Sequence, residues 1–314
     1  MARIAYLGPE GTFSEAALLE MTAADLIPGE GAEAVQPLPV DSTPAALDSV
    51  RGGTADYACV PIENSIDGSV TPTLDSLAIS SPLQIFAETT LDVAFSIVVK
   101  PGRTAADVQT LAAFPVAAAQ VRRWLAAHLP AAELRPANSN AEAAKQVAEG
   151  KVDAAVSSPL AAEHYALAAL AAGVVDEPNA RTRFVLVGQP GPPPARTGAD
   201  RTSVVLRIDN APGALVAALT EFGIRGIDLT RIESRPTRVE LGTYVFFLDC
   251  VGHIDDDAVA EALKALHRRC ADVRYLGSWP TGVRAGAAPP QLDDASRWLS
   301  LLREGAATGE RLTP

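Results

Sequence analysis

The chain has 314 residues, enough for two ordinary domains, and at 48% hydrophobic and 20% charged it can bury sizeable cores. A formal net charge of −12 at pH 7 argues against the basic face that nucleic acid or an anionic membrane surface needs, so an anionic ligand must be met by local positive charge. The three cysteines, Cys59, Cys250 and Cys270, lie far apart and read as buried thiols, with no disulfide framework and no CxxC metal pair. The N-terminus reads as a strand at once, so no signal peptide is expected, and no apolar run approaches membrane-span length. The expectation is a cytoplasmic protein.

Arg3-Ile4-Ala5-Tyr6-Leu7 reads as a short strand ending in the turn Gly8-Pro9-Glu10-Gly11. Thr12-Phe13-Ser14-Glu15 then reads as a capping box before a helix over 16–21. A strand, glycine turn and helix start point backbone N–H groups and a positive dipole end at one spot, which favours a carboxylate or phosphate. This is not a P-loop, since no Gly-Lys-Ser/Thr follows. A helix over 44–51 is capped by Ser42 or Thr43. The apolar run 57–62 is a buried strand, and Glu63-Asn64-Ser65 projects from its C-terminal end, the edge where open α/β sheets bind ligands. Gly68 and a helix starting at Thr71-Pro72 follow.

The middle of the chain reads as a separate lobe. Strands are expected over 83–88 and 93–100, a strand or helix begins over 107–111, and helices span 117–129 and 141–149. A strand over 152–158 leads into an alanine-rich helix over 159–172. Alternation of strands and helices at these lengths predicts parallel sheets. Gln120 is the one long polar side chain in an apolar first helical turn.

After the polar turn Asp176-Glu177-Pro178-Asn179 comes Arg181-Thr182-Arg183-Phe184, then the apolar strand Val185-Leu186-Val187. A hydroxyl and two guanidinium groups thus stand where a strand begins, and a planar guanidinium suits a small carboxylated ligand. The linker 188–200 holds four prolines and can be neither helix nor central strand. Beyond it come a strand over 202–208, a helix from Pro212-Gly213-Ala214-Leu215 to 222, strands over 226–234 and 243–251, a helix over 255–269 and a strand over 273–277. That β-α-β-β-α-β order is ferredoxin-like. Past Trp279 a Pro/Gly/Ala-rich, mobile end is expected, with a short helix over 294–303.

These segments together resemble a known family. Gly8-Pro9-Glu10-Gly11-Thr12-Phe13-Ser14, Pro61-Ile62-Glu63-Asn64-Ser65 with Gly68, and Thr182-Arg183-Phe184 look like the signature segments of prephenate dehydratases. The C-terminal part resembles the ACT regulatory domain, with Gly213-Ala214-Leu215 and Glu233-Ser234-Arg235-Pro236 like the phenylalanine-inhibited members. The resemblance implies an α/β fold: a bilobal catalytic domain over 1–187, like type-II periplasmic binding proteins, with lobe 1 about 1–78 and 176–187 and lobe 2 about 79–175. A linker, an ACT domain over 201–278 and a tail over 279–314 complete the division. No chorismate mutase domain is expected ahead of the strand at residue 3.

By position along these motifs, the resemblance places catalytic roles on Thr182, Glu63, Asn64 and Gln120. Substrate binding falls to Arg183, Phe184, Gly11, Thr12, Ser14 and Ser65. The segment before Gln120 departs from the family pattern, with Ala113-Phe114-Pro115-Val116 where many members have Ser-His-Pro-Gln. Prephenate would lose carbon dioxide and its ring hydroxyl to give phenylpyruvate. Aromatisation drives that change, so no metal or organic cofactor is needed, and Thr182 is the expected proton donor to the leaving hydroxyl. Phenylalanine is expected as allosteric effector, held by Asn210, Gly213, Ala214, Leu215, Glu233, Ser234, Arg235 and Pro236 in a homo-oligomer, dimer or tetramer. The alternatives are a non-catalytic binder of small carboxylates and a dehydratase that also accepts arogenate.

Overall fold

The computed structural model describes residues 1–29, 35–177, 179–282, 286–290 and 293–305, with side chains of the last segment from 295 onward. The chain divides into two compact units, Met1–Gly191 and Pro192–Pro314.

In the first unit, β1 (Ala2–Leu7) carries Ile4, Ala5 and Tyr6 fully buried, so it is a central strand covered on both faces. It leads to α1 (Phe13–Ala23), then β2 (Val35–Val40), α2 (Thr43–Arg51), β3 (Tyr57–Asn64), the two-residue β4 (Gly68–Ser69), α3 (Thr71–Ile79) and β5 (Gln84–Asp92). Ser42 caps α2 by accepting from Ala45 N–H at 3.2 Å. The second lobe comprises β6 (Phe95–Val99), β7 (Thr110–Ala113), α4 (Pro115–Gln120), α5 (Arg122–His128), β8 (Glu133–Pro136), α6 (Asn140–Ala148), β9 (Ala154–Ser157), α7 (Pro159–His164) and β10 (Ala168–Val174). The chain then returns to the first sheet as β11 (Arg181–Gly188).

The first sheet has the order β2-β1-β3-β11-β5, with β4 beside β3, and the second has the order β10-β6-β9-β7-β8. Both are mixed rather than parallel. Strand β11 runs antiparallel to β3 and β5, and β6 runs antiparallel to β9 and β10. The 84–92 strand, which sequence grouping assigns to the second lobe, pairs with β11 and so belongs to the first sheet. Two chain passages join the lobes, one between β5 and β6 and one between β10 and β11, bonded to each other where Val93 N–H donates to Ala180 O at 2.7 Å.

Two expected helices are revised. Residues 159–172 are not one helix. It stops at His164, Ala166 takes φ +50°, and β10 pairs with β6. The helix propensity of alanine is a weak preference that pairing across the sheet overrides here. The helix expected over 117–129 is broken at Val121 (φ −122°). The Gln120 carbonyl accepts from Asp176 N–H at 2.8 Å instead of from a helical partner. The Asp176 carboxylate then caps α5, accepting from Arg123 N–H at 2.7 Å.

The second unit follows the expected order: β12 (Asp200–Arg207), α8 (Ala214–Gly223), β13 (Leu229–Pro236), β14 (Tyr244–Val251), α9 (Asp257–Arg269) and β15 (Asp272–Pro280). Its antiparallel sheet runs β13-β14-β12-β15, and α8 and α9 cover one face over Val204, Leu206, Phe222, Leu248 and Leu266. The last strand reaches Pro280 with Trp279 fully buried, so the sheet extends into the segment assigned to the tail. A helix, α10 (Asp293–Arg303), lies beyond. Pro178 of the polar turn, and 283–285, 291–292 and 306–314 of the expected mobile end, lie outside the described residues.

Candidate active site

Antiparallel pairing of β3 with β11 sets Asn64 opposite Thr182 and Glu63 opposite Arg183. Because side chains alternate along a strand, the two pairs point to opposite faces of the sheet. Asn64, Thr182 and Phe184 line a cavity of about 180 Å³ between the lobes. Thr12, Phe13 and Ser14 from the start of α1, and Gln120, Ser139 and Asn140 from the second lobe, contribute to its wall. Four phenylalanines (13, 95, 114 and 184) give it an aromatic lining, with Phe13 and Phe95 edge-to-face at 5.8 Å.

Thr182 is 9% exposed. Its Oγ accepts from Asn64 Nδ2 at 2.9 Å. The orientation of the Asn64 amide is fixed by its oxygen, which accepts from Ile66 N–H at 2.8 Å and Asp67 N–H at 3.0 Å. With Oδ1 so engaged, Nδ2 must face Thr182, and the threonine hydroxyl keeps its own proton for another acceptor. Gln120 is 8% exposed and donates from Nε2 to Asp67 Oδ2 at 2.7 Å across the cleft.

Other expected site residues are placed differently. Glu63 is not part of the cavity wall. Its carboxylate pairs with Arg183 at 3.0 Å, and Arg183 also pairs with Glu88 at 3.3 Å, all on the far face of the sheet. Gly11 is likewise outside the wall. Its N–H donates to Glu15 Oε2 at 2.5 Å and its carbonyl accepts from Ser158 Oγ at 2.5 Å, so the turn docks one lobe on the other. Glu15 therefore reaches Gly11, not Thr12 as a capping box would require, although Thr12 Oγ does accept from Glu15 N–H at 3.2 Å. Ser65 extends the β3–β11 pairing by accepting from Arg181 N–H at 2.9 Å.

Sequence reasoning missed Asn138-Ser139-Asn140. The signal was present in Ser139 and Glu142, since Ser139 caps α6 by accepting from Glu142 N–H at 3.0 Å while Glu142 accepts from Asn138 N–H at 3.1 Å. The starts of α1 and α6 thus both border the cavity, where their dipoles and first-turn N–H groups favour anions. No lysine or arginine occurs among the described residues of its wall.

All three cysteines are free; Cys59 and Cys250 are buried, Cys270 only partly so. Burial pushes the Cys59 and Cys250 thiols well above their ordinary range, which suits inert packing. In the second unit, Gly213 takes φ +79° at the start of α8, and the N–H of Ala214, one of the residues expected to hold the effector, donates to Ala211 O at 3.1 Å. Arg207, Val245 and Arg235 share one register row. The exposed Asn210 turn, which follows β12, and the end of β13 therefore lie at the same end of the sheet. No helix among the described residues is long and apolar enough to cross a membrane.

A two-lobed α/β domain with a cavity between its lobes, followed in the same chain by a βαββαβ module, is the architecture of a small-molecule-binding domain joined in sequence to an ACT-type unit. The family model for prephenate dehydratase matches residues 4–192 and that for the ACT domain residues 202–268. The chain belongs to the prephenate dehydratase family, whose members are lyases. It is 80% identical over 305 residues to a prephenate dehydratase of Mycobacterium tuberculosis (strain H37Rv), covering 97% of this chain and 95% of the relative. It is 78% identical over 307 residues to one of Mycobacterium leprae (strain TN), covering 97% and 95%. A crystal structure of prephenate dehydratase in complex with L-Phe from Arthrobacter aurescens is 39% identical, with TM-score 0.85, covering 96% of this chain and 100% of that one.

Proposed function

We propose that the chain converts prephenate to phenylpyruvate, carbon dioxide and water in phenylalanine biosynthesis, and that phenylalanine regulates it through the second unit. The observation that carries the reading is the Thr182 hydroxyl, polarised by Asn64 at 2.9 Å in an aromatic-walled cavity. The substrate ring stacks against phenylalanine side chains, and the N–H groups opening α1 and α6 receive its carboxylates. The bond from the ring to its carboxylate breaks, and its electron pair moves through the ring to expel the hydroxyl at the opposite carbon. Thr182 Oγ–H donates to that departing oxygen, which leaves as water, and solvent restores the threonine proton. Holding the ring with both groups aligned is the larger part of the work. Arg183, engaged by two carboxylates on the other face, contributes to the rigidity of β11 rather than to substrate binding.

The effector reading is supported by the L-Phe bound to the Arthrobacter relative and by the Asn210–Leu215 turn lying at the same sheet end as Glu233, Ser234, Arg235 and Pro236. Val216 (67% exposed) and Ile232 (51%) support a homo-oligomer formed through this unit. The test is turnover of prephenate by the wild type and by Thr182→Ala, with and without phenylalanine, following phenylpyruvate by its absorbance in alkali. Product from the wild type alone, lowered by phenylalanine, supports both parts. Binding of prephenate without turnover by the wild type would make the chain a binding protein.

A further inference from the structure

Asp67 stands in the turn after β3, and its carboxylate, which can only accept, takes the Nε2–H of Gln120 at 2.7 Å. This bond decides which way the Gln120 carboxamide faces. With Nε2 committed to Asp67, Oε1 is turned away from it, and Oε1 is buried with no hydrogen-bond partner among the described residues. An acceptor left unmet inside a cavity wall is costly unless a ligand meets it.

We propose that Asp67 is a positioning residue that makes Gln120 an acceptor for the substrate's ring hydroxyl; the proposal rests on the prephenate reading above. Prephenate carries two carboxylates and a keto oxygen, all acceptors, and the ring hydroxyl is its one donor. An acceptor held in the wall therefore selects for that hydroxyl, while Thr182 donates to the same oxygen. A site whose polar group would go unpaired rejects the analogue lacking its partner. Asp67 belongs to the first lobe and Gln120 to the second, so the acceptor is in place only when the lobes are together. The Asp67 backbone N–H separately holds Asn64. Side-chain replacement at 67 therefore leaves the Asn64–Thr182 bond standing.

The experiment compares the wild type with Asp67→Ala, Asp67→Asn, Gln120→Leu and the Asp67→Ala/Gln120→Leu double variant. It measures kcat and KM for prephenate and the inhibition constant of the 4-deoxy analogue, which has hydrogen in place of the ring hydroxyl. Asp67→Ala should raise the KM for prephenate about tenfold, the scale of one well-placed hydrogen bond, and change inhibition by the deoxy analogue less than about twofold. Asp67→Asn can either accept from or donate to Gln120, so it no longer fixes the carboxamide, and its KM should fall between those of the wild type and Asp67→Ala. The double variant should be no worse than Gln120→Leu, because both changes remove one interaction. If Asp67→Ala weakens both compounds alike or neither, or if the two changes add, the positioning role is wrong although the reaction stands. No turnover by the wild type would instead overturn the dehydratase reading, and this role with it.

Discussion

Asn64 donates to Thr182 across the β3–β11 pair, and it cannot do the reverse, because two backbone N–H groups hold its oxygen. Direction matters here. An amide N–H on the threonine oxygen makes the hydroxyl a better donor, as a chain of hydrogen bonds polarises each member. Thr182→Ala should lower kcat about 10²–10⁴-fold with KM changed little. Asn64→Asp, almost the same shape, offers no N–H and should lose activity on a similar scale while the melting curve stays in place. Steady-state assays beside thermal denaturation check both.

The two carboxylates on Arg183 should behave differently when removed. Glu88 is 7% exposed at its side chain and Glu63 39%. Glu88→Gln breaks a buried pair and should cost about 3 kcal/mol in urea unfolding. Glu63→Gln loses a partly solvated pair and should cost less than about 1 kcal/mol. Since Glu63 lies off the cavity, its variant should keep kcat close to the wild type. A large loss of kcat in Glu63→Gln would return that residue to the chemistry.

Gly11 has φ +91°, and a Cβ there would stand 2.8 Å from the Ala161 Cα of the other lobe. Gly11→Ala should destabilise the first unit by about 1–3 kcal/mol through backbone strain alone, visible as a lower Tm. Because the added Cβ meets the Ala161 backbone rather than the end of a flexible side chain, the lobes must also part slightly, so KM for prephenate should rise.

Asp153 provides the pH test. Its carboxylate accepts from Thr110 Oγ at 2.8 Å, Thr110 N–H at 2.9 Å and Gln109 N–H at 3.1 Å, and the Thr110 side chain is the largest cause of a pKa held below the ordinary aspartate range. A carboxylate with a depressed folded pKa gives stability that is present above its unfolded pKa and lost as pH falls through the folded one. Asp153→Asn should therefore be less stable than the wild type at neutral pH. The gap should close as acid takes the wild type below both pKa values. An unchanging gap across denaturation curves in that range would refute the linkage.

Much of this was legible locally. The glycine turn between β1 and α1, the polar end of β3 and the βαββαβ order all declare themselves within a few residues of sequence. What was not legible depends on contacts between distant segments. The alanine-rich stretch 168–172 prefers a helix by itself, yet pairing with Val98 and Val99 decides the matter. The face on which Glu63 and Arg183 lie follows from the register with β11, more than a hundred residues further on. Asp176 breaking the helix at Val121, and Asp67 holding Gln120, act over 53-residue separations or nearly so.

Thr182 follows directly on the second passage between the lobes, two residues after Ala180 bonds Val93 of the first. A groove that opens by rotation about those passages has its pivot beside the Thr182 hydroxyl. Near a pivot, displacement is small whatever the angle, and Gln120, whose carbonyl holds Asp176 N–H in the second passage, moves little as well. Thr182 and Asn64 would thus keep their spacing through every cycle of substrate entry and product release. A modest torque on the crossing strands would be enough to assemble or dismantle the rest of the site.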